Sequence, residues 1–328
     1  MKKFTRRHMV AGAALTAVAF AAMGTSAQAG KVLKWAHVYE SGSAYHTTAE
    51  WAAEEIKKRT DGRYEIKVFP ASSLGKEVDI NEGLNIGSVD IIYTGPAFAA
   101  QSYGPLAISD YPFILRDYNH WKAYRDSDLF TEMGAGYKKA TGNTITALTY
   151  YGARHVTANK PIMVPKDMTG LKIRVPNAPV YMMFPKAVGA NPTPMAFSEV
   201  YLALQQGVVD AQENPLPTIK FKKFYEVQSN INLTGHITNS LVTVISGATL
   251  GGMSDADAAV LREVTRAAAE RASNEIDTAE QNLASWFRDQ GVTVNVVDRK
   301  PFMKAVEPDL TSSDVPYTME QYERFKAL

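Results

Sequence analysis

The chain has 328 residues, of which 45% are hydrophobic, and its 35 basic and 34 acidic residues give a formal net charge of +1. This length favours two domains with ordinary hydrophobic cores. The balanced charge gives no support for binding to nucleic acid or to an anionic membrane. Because the chain has no cysteine, disulfides, thiolate nucleophiles and cysteine metal sites are excluded.

Residues 1–29 have the features of a secretory signal peptide. A basic segment with paired arginines is followed by an apolar run, Met9–Met23, and by a small-residue cleavage site, Ala27–Ala29. The paired arginines are compatible with the twin-arginine export route. A retained membrane anchor is the alternative, but the run is short and rich in alanine for a spanning helix. We expect an exported mature protein that begins at Gly30.

The mature chain alternates strand and helix patterns. Strands are predicted at Lys31–Trp35, Tyr64–Phe69, Val89–Tyr93 and Thr144–Tyr151, and shorter β patterns at Ile231–Leu233 and Leu241–Ile245. Helices are predicted at about Ala44–Thr60, Gly75–Ile86 and Tyr118–Lys139. A further helix, Ser254–Gln290, would reach about 50 Å at 1.5 Å per residue. That length exceeds one small lobe, so we expect this helix to underlie two.

Two segments of the chain share a pattern. IKVFP at Ile66–Pro70 matches IRVP at Ile173–Pro176, and LNIGSVD at Leu84–Asp90 matches LQQGVVD at Leu204–Asp210. In the second pair a helix runs into a glycine that can adopt a left-handed cap, and a buried strand follows. The repetition predicts two lobes of similar α/β build.

The stretch Leu171–Pro217 carries the main candidate site. Its first strand, LKIRV, places Arg174 near the carboxyl end, and its last strand, VVDAQE, leads directly into Asn214. Open α/β sheets bind ligands at the carboxyl ends of their strands. Arg174 and Asn214 are therefore predicted to share a crevice, although a surface arginine and a turn asparagine are the simpler interpretations. The guanidinium of Arg174 could bind a carboxylate through two parallel hydrogen bonds.

Catalytic motifs give no positive signal. The six histidines show no zinc-protease spacing, SSLGK at Ser72–Lys76 lacks the glycine and hydroxyl of a phosphate loop, and no nucleophile-elbow serine occurs. His37, Glu40 and His46 are conceivable as a metal cluster, but capping or core roles are favoured for them. No metal and no cofactor is expected.

Several runs, taken together, resemble the solute-binding proteins of tripartite ATP-independent periplasmic (TRAP) transporters, of the dicarboxylate- and sialic-acid-binding type. They are LKWAH, VFPASSLGKE, YYGARHVTANKPI, LKIRVPNAP, PTPMAFSEVYLALQQGVVDAQENP and FYEVQ, in this order over nearly the whole mature chain. The resemblance implies an α/β, two-lobed periplasmic binding protein of the type II-like, Venus-flytrap kind, with a long helix spanning both lobes. It places lobe I at 30–151 plus 240–270 and lobe II at 152–239 plus 271–328. Cleft closure would trap an organic acid and deliver it to membrane permease subunits.

The resemblance also implies the ligand-binding residues. The carboxylate-binding arginine falls on Arg174 and an assisting arginine on Arg154, while the QENP asparagine falls on Asn214 and a packing aromatic on Phe197. The first lobe would contribute contacts from the loop after strand one, the start of the next helix and the loop after strand three. These contacts comprise His37, Lys76, Glu77, Tyr93 and Gly95.

The first-lobe residues bear on which acid is bound. Acidic residues that sialic-acid binders present to the sugar are replaced here, with Gly95, Lys76 and Glu77 at about these places. Because Glu77 and His37 can accept hydrogen bonds from hydroxyls, we expect a sugar acid such as a hexuronate or an aldonate. A C4-dicarboxylate remains an alternative, with Lys76, Arg154 or protonated His37 as its second cation, as does sialic acid. We expect a monomer that binds no nucleic acid. A secreted enzyme using His37 or Glu77 as base, and a chemosensory partner, are the competing functions.

Overall fold

The computed structural model describes residues 30–328, so the predicted signal peptide lies outside the described residues. The strands are β1 (Lys31–Ala36), β2 (Tyr64–Phe69), β3 (Ile91–Thr94), β4 (Thr144–Ala158), β5 (Lys172–Val175), β6 (Asn191–Pro194), β7 (Ala211–Pro215), β8 (Asn230–Ile245) and β9 (Thr293–Val296). The helices are α1 (Ala44–Arg59), α2 (Glu77–Asn85), α3 (Pro96–Ala99), α4 (Tyr118–Arg125), α5 (Asp128–Thr141), α6 (Met183–Ala187), α7 (Val200–Gln205), α8 (Leu216–Phe221), α9 (Gly247–Gly251), α10 (Asp255–Asp289), α11 (Lys300–Val306) and α12 (Met319–Lys326).

Two long antiparallel strands hold the sheet together. The strand order is β2-β1-β3-β8-β4-β7-β5-β6, and β9 pairs with β8. The amino-terminal strands β1–β3 join the sheet where β3 pairs with the end of β8 at Ile245, whereas β7 pairs with β4 only from Arg154 to Ala158. Strands β4 and β8 thus connect two separate groups of parallel strands, one for each lobe.

Both long strands are longer than predicted. The strand that the sequence ends at Tyr151 continues through Gly152 to Ala158, and the two β patterns at 231–233 and 241–245 belong to one strand of 16 residues. Register shifts between Tyr150 and Gly152 and between Arg154 and Val156 let the ladder bend without stopping.

One predicted helix is divided in two. The helix predicted over Tyr118–Lys139 ends as α4 at Arg125 and begins again as α5 at Asp128. The break occurs because the Ser127 hydroxyl accepts a hydrogen bond from the Phe130 N–H and starts a new helix. Ser127 is therefore an N-cap inside what reads as one amphipathic pattern.

Helix α10 confirms the prediction of a helix that serves both lobes. It has 35 residues, and Ser254 caps its start by accepting from the Asp257 N–H. Its first half places Leu261 and Val264 in the core that surrounds β1–β3, while Leu283 and Phe287 near its end belong to a second cluster with α7 and α8. Among residues 30–328, no helix combines the length and the apolar character needed to cross a bilayer.

Candidate ligand-binding site

A cavity lies where the two groups of strands meet, with about 340 Å³ of empty space when the part open to solvent is counted. Residues carried by both groups of strands line it, and small-solute sites commonly lie between domains in this way. Six of the nine residues predicted from the sequence line it, namely Glu77, Gly95, Arg154, Arg174, Phe197 and Asn214. The structure therefore brings the two predicted strand ends into one crevice.

Arg174 is a buried cation with donors to spare. Its residue is 2% exposed, and its Nε and Nη2 groups donate to the carbonyl oxygen of Met195 at 3.1 and 2.7 Å. Within residues 30–328 no Asp or Glu side chain forms an ion pair with it, and its Nη1 makes no hydrogen bond. Burial lowers the pKa of Arg174 to about 10, so it stays charged at neutral pH. A buried guanidinium of this kind is ready to bind an anion.

Arg154 lines the same cavity but is already paired. Its Nε and Nη2 form a bidentate ion pair with the Glu213 carboxylate, and Nη1 donates to Asn239 Oδ1 at 2.9 Å. Burial opposes the charge of Arg154, but Glu213 outweighs burial and raises the pKa of the arginine. Burial likewise opposes the charge of Glu213, yet Arg154 and His236 bring its pKa down to about 2. Arg154 thus has few donors left for a ligand.

Asn214 lies beside Arg174 with its amide orientation fixed. Strand pairing aligns Arg174 with Gln212, and Asn214 follows two residues later on the same face of β7. Its Nδ2 donates to Gln212 Oε1 at 2.6 Å, and its Oδ1 accepts from the Tyr151 hydroxyl at 3.2 Å. Since an amide nitrogen has two hydrogens, one remains for a ligand oxygen near Arg174.

Glu77 places a carboxylate in the same cavity. It stands at the start of α2, where its Oε1 accepts from the Gly95 N–H at 2.8 Å and from the Thr94 hydroxyl at 3.1 Å. Burial raises the pKa of Glu77, while these donors and the two arginines oppose the rise. The cavity therefore contains a cation with free donors, at Arg174, and a carboxylate from the first lobe.

Three predicted residues are not brought to the cavity lining. His37 is buried, with its Nδ1 accepting from the Tyr39 N–H at 3.2 Å and its Nε2 3.3 Å from His46 Nδ1, and burial lowers its pKa to about 3. Lys76 is exposed and pairs with Glu199 at 2.6 Å. Tyr93 packs in the core against Trp35, with ring centroids 5.0 Å apart.

The conceivable metal cluster of His37, Glu40 and His46 is not assembled either. Glu40 instead forms an ion pair with Lys222 at 2.7 Å. Among the described residues, no group of three or more His, Asp or Glu side chains has the arrangement of a metal site.

A polar group at the back of the cavity was not predicted from the sequence. Asp110 is fully buried, and its carboxylate accepts from the Asn239 amide at 2.7 Å, the Ala97 N–H at 2.9 Å and the Tyr181 hydroxyl at 3.2 Å. Burial raises the pKa of Asp110 to about 7, and these donors and Arg154 oppose the rise. The sequence does offer a signal for it, a lone acidic residue within the apolar run PLAISDYPFIL. Because buried carboxylates require polar partners, such a residue indicates a buried polar group.

Comparison with known proteins identifies the family. The family described as bacterial extracellular solute-binding protein, family 7, matches residues 35–314. The chain belongs to this family. Together with the solved TRAP solute-binding proteins described next, this match confirms the predicted resemblance and the two-lobed α/β fold.

Individual relatives of this family 7 protein cover most of its length. The sialic acid-binding periplasmic protein SiaP of Vibrio cholerae is 33% identical over 86% of this chain and 88% of its own. A TRAP solute-binding protein from Polaromonas sp. JS666, solved with D-erythronate bound, is 32% identical with a TM-score of 0.86 and covers 91% of this chain and 99% of its own. One from Roseobacter denitrificans with bound L-galactonate is 30% identical with a TM-score of 0.84, covering 90% and 97%.

Proposed function

We propose that this protein captures a sugar acid in the periplasm and delivers it to the permease subunits of a TRAP transporter. The observation that carries the proposal is Arg174, a buried guanidinium without an acidic partner among residues 30–328. A ligand carboxylate would supply the missing partner, and Asn214 would donate to the same group. Each hydrogen bond to a charged group contributes about 1.5–3 kcal/mol.

The rest of the cavity favours hydroxyls over a second carboxylate. Glu77 would repel a second negative charge, by about 4 kcal/mol at 4 Å separation and an effective dielectric constant of 20. Two cations considered for a dicarboxylate are already paired, Arg154 with Glu213 and Lys76 with Glu199. The third, His37, has a pKa lowered by burial to about 3, so it is neutral at physiological pH. The D-erythronate and L-galactonate bound by the two solved relatives are monocarboxylates of the proposed kind.

The lobes and the export route form part of the proposal. We propose that the boundary between 30–151 and 152–239 falls at Gly152, where β4 shifts register, and that β8 passes back to the first lobe after Asn239, which pairs with Gly152. We propose cleavage of residues 1–29 and a monomeric mature protein without cofactor or metal. No catalytic motif supports the enzyme alternative.

A thermal-shift screen tests the proposal. The purified mature protein is heated with aldonates, hexuronates, C4-dicarboxylates and sialic acid in separate wells, and each solute is then recovered and identified by mass spectrometry. We expect stabilisation by at least one sugar acid, about 2.7 kcal/mol at a hundredfold excess over Kd, with the solute unchanged. A shift with dicarboxylates alone would contradict the ligand class, and conversion of the solute would establish an enzyme.

A further inference from the structure

One wall of the cavity offers hydrogen-bond acceptors to a ligand. Glu77 presents a carboxylate whose Oε1 is held by the Gly95 N–H and the Thr94 hydroxyl. Next to it, Tyr181 lines the cavity with a hydroxyl that donates to Asp110 Oδ2 at 3.2 Å. Since a phenol has one hydrogen, its oxygen can then only accept from a ligand.

The direction of the Tyr181 hydroxyl is set by buried neighbours. Asn239 Oδ1 accepts from Arg154 Nη1 at 2.9 Å, so its Nδ2 must face the other way, toward Asp110 Oδ1 at 2.7 Å and Tyr181 Oη at 3.5 Å. The Ala97 N–H also points at Asp110. Asp110 thus accepts hydrogen bonds from Asn239, Ala97 and Tyr181. The hydrogen of the Tyr181 hydroxyl therefore points toward Asp110 and away from the cavity.

Gly95 has no side chain to cover the space between the two acceptors. A Cβ built at this position would lie 3.3 Å from Tyr181 Oη and 3.8 Å from Glu77 Oε1. The backbone does not require glycine here, because its φ of −68° is available to any residue. The absent side chain therefore leaves the Tyr181 hydroxyl and the Glu77 carboxylate uncovered on this side.

We infer that the wall formed by Glu77, Gly95 and Tyr181 selects ligands that bring a hydroxyl to this space, and that Asp110 is the positioning residue that enforces the selection. A ligand hydroxyl can donate to either acceptor. A carboxylate or keto oxygen in the same place would meet acceptors only and lose its hydrogen bonds to water. The inference rests on the proposed function and narrows its ligand class.

Two matched ligand pairs test this selection. D-erythronate is compared with meso-tartrate, and L-galactonate with galactarate, since each pair differs by oxidation of the terminal carbon from alcohol to carboxylate. Dissociation constants are measured by calorimetry at pH 8, where Asp110 is ionised. We expect at least one monoacid to bind about tenfold to a hundredfold more tightly than its diacid. If none of the four acids binds and no acid in the wider sugar-acid screen binds, the proposed function is refuted. If acids bind but each monoacid has the same dissociation constant as its diacid, only the selection is refuted.

Asp110→Asn tests the positioning role. With its nitrogen in the Oδ2 position, the new amide gives up the hydrogen bond from the Ala97 N–H but can donate to Tyr181 Oη. The phenolic hydrogen is then free to turn into the cavity and bind an acceptor. We expect the preference for monoacid over diacid to fall by about tenfold. In the Asp110→Asn/Tyr181→Phe double variant the preference should equal that of Tyr181→Phe alone, because Asp110 acts through the hydroxyl. An unchanged preference in a folded Asp110→Asn protein overturns the role of Asp110.

Gly95→Ala provides a second test if Asp110→Asn does not fold. The added methyl suits the backbone φ but would lie 3.3 Å from Tyr181 Oη and cover the space between the acceptors. Affinity for the monoacid should therefore fall at least about tenfold, while the free protein stays folded with a melting temperature close to that of wild type. Tyr225→Phe, which removes a hydroxyl in the second hydrophobic cluster and away from the cavity, is the matched control for Tyr181→Phe. Undiminished affinity in Gly95→Ala overturns the selection.

Discussion

Two buried arginines in one cavity have opposite states of pairing. Arg154 is neutralised inside the protein by Glu213, which in turn contacts His236 Nε2 at 3.1 Å. Arg174 is equally buried, but among residues 30–328 it donates only to a neutral carbonyl. An unpaired buried charge costs free energy, so binding of a carboxylate removes a cost that the free protein carries. Arg154 holds the cavity in shape, and Arg174 is left for the ligand.

Breaking the buried ion pair between Arg154 and Glu213 should destabilise the protein. Glu213→Gln leaves Arg154 buried with a neutral partner, and we expect a loss of about 3–5 kcal/mol in the free energy of unfolding by urea. The folded-state pKa of Glu213, about 2, lies below its usual 4.5. The contribution of Glu213 to the free energy of unfolding is therefore present above pH 4.5 and is lost as the pH falls toward 2. The difference between wild type and variant should narrow accordingly at acidic pH. Glu82→Gln, on the exposed face of α2, should change stability by less than about 0.5 kcal/mol; a similar small change for Glu213→Gln would contradict the account.

At the scale of elements, strand β4 depends on one glycine. Gly152 has a φ of +112°, and a Cβ there would lie 2.7 Å from Glu280 Oε1 of α10 and 2.7 Å from the Pro215 Cβ. Glu280 also accepts from the Ala153 N–H at 2.7 Å and from the Tyr150 hydroxyl at 2.7 Å. The long helix is thus bonded to β4 at the point where the strand bends.

We expect Gly152→Ala to cost about 2–4 kcal/mol, from backbone strain together with the clash. Gly134→Ala is the control, because that glycine lies inside α5 with open space around its Cβ position. The control should stabilise the protein by about 0.5–1 kcal/mol. Denaturant titration of both variants measures the difference, and a Gly152→Ala protein as stable as wild type would show that the bend tolerates a side chain.

The sequence predicts the types of most elements but not the partners of polar side chains. The capped α10 and the strand ends at Arg174 and Asn214 follow from periodicity and from Pro176 and Pro215. In contrast, the sequence predicts that the strand ends at Gly152, whereas the structure continues it. The positive φ of Gly152 within a continuous strand depends on contacts with α10, which the sequence does not reveal. His37 and Lys76 are polar residues near strand and helix ends, and only tertiary contacts with His46 and Glu199 direct them away from the cavity.

At the scale of the whole molecule, ion pairs cross the mouth of the cleft. Lys76 and Glu199 belong to different proposed lobes and lie 2.6 Å apart, as do Glu40 and Lys222 at 2.7 Å. The rings of Phe197 and Tyr39, also from different proposed lobes, lie with their centroids 6.1 Å apart. If the lobes separate to admit ligand, these contacts break, so they favour the closed state.

Removing the exposed pair should weaken ligand binding slightly and without selectivity. Lys76→Gln and Glu199→Gln should each raise Kd by about 1.5- to 5-fold, as expected for an exposed ion pair, and the double variant should add little. Calorimetry at low and high salt measures the effect, which should shrink as salt rises. A Lys76→Gln protein whose order of preference among acids changes would indicate that Lys76 contacts the ligand directly.

The central claim is that Arg174 binds the ligand carboxylate. The decisive measurement is calorimetric titration of wild type, Arg174→Ala and Lys172→Ala with the sugar acid that gives the largest thermal shift. Lys172 lies on the same strand but is exposed, so its removal should leave Kd within about twofold. Arg174→Ala should raise Kd at least about a hundredfold, because two hydrogen bonds to charge are lost. An Arg174→Ala protein that is folded and binds within about threefold of wild type would contradict the claim.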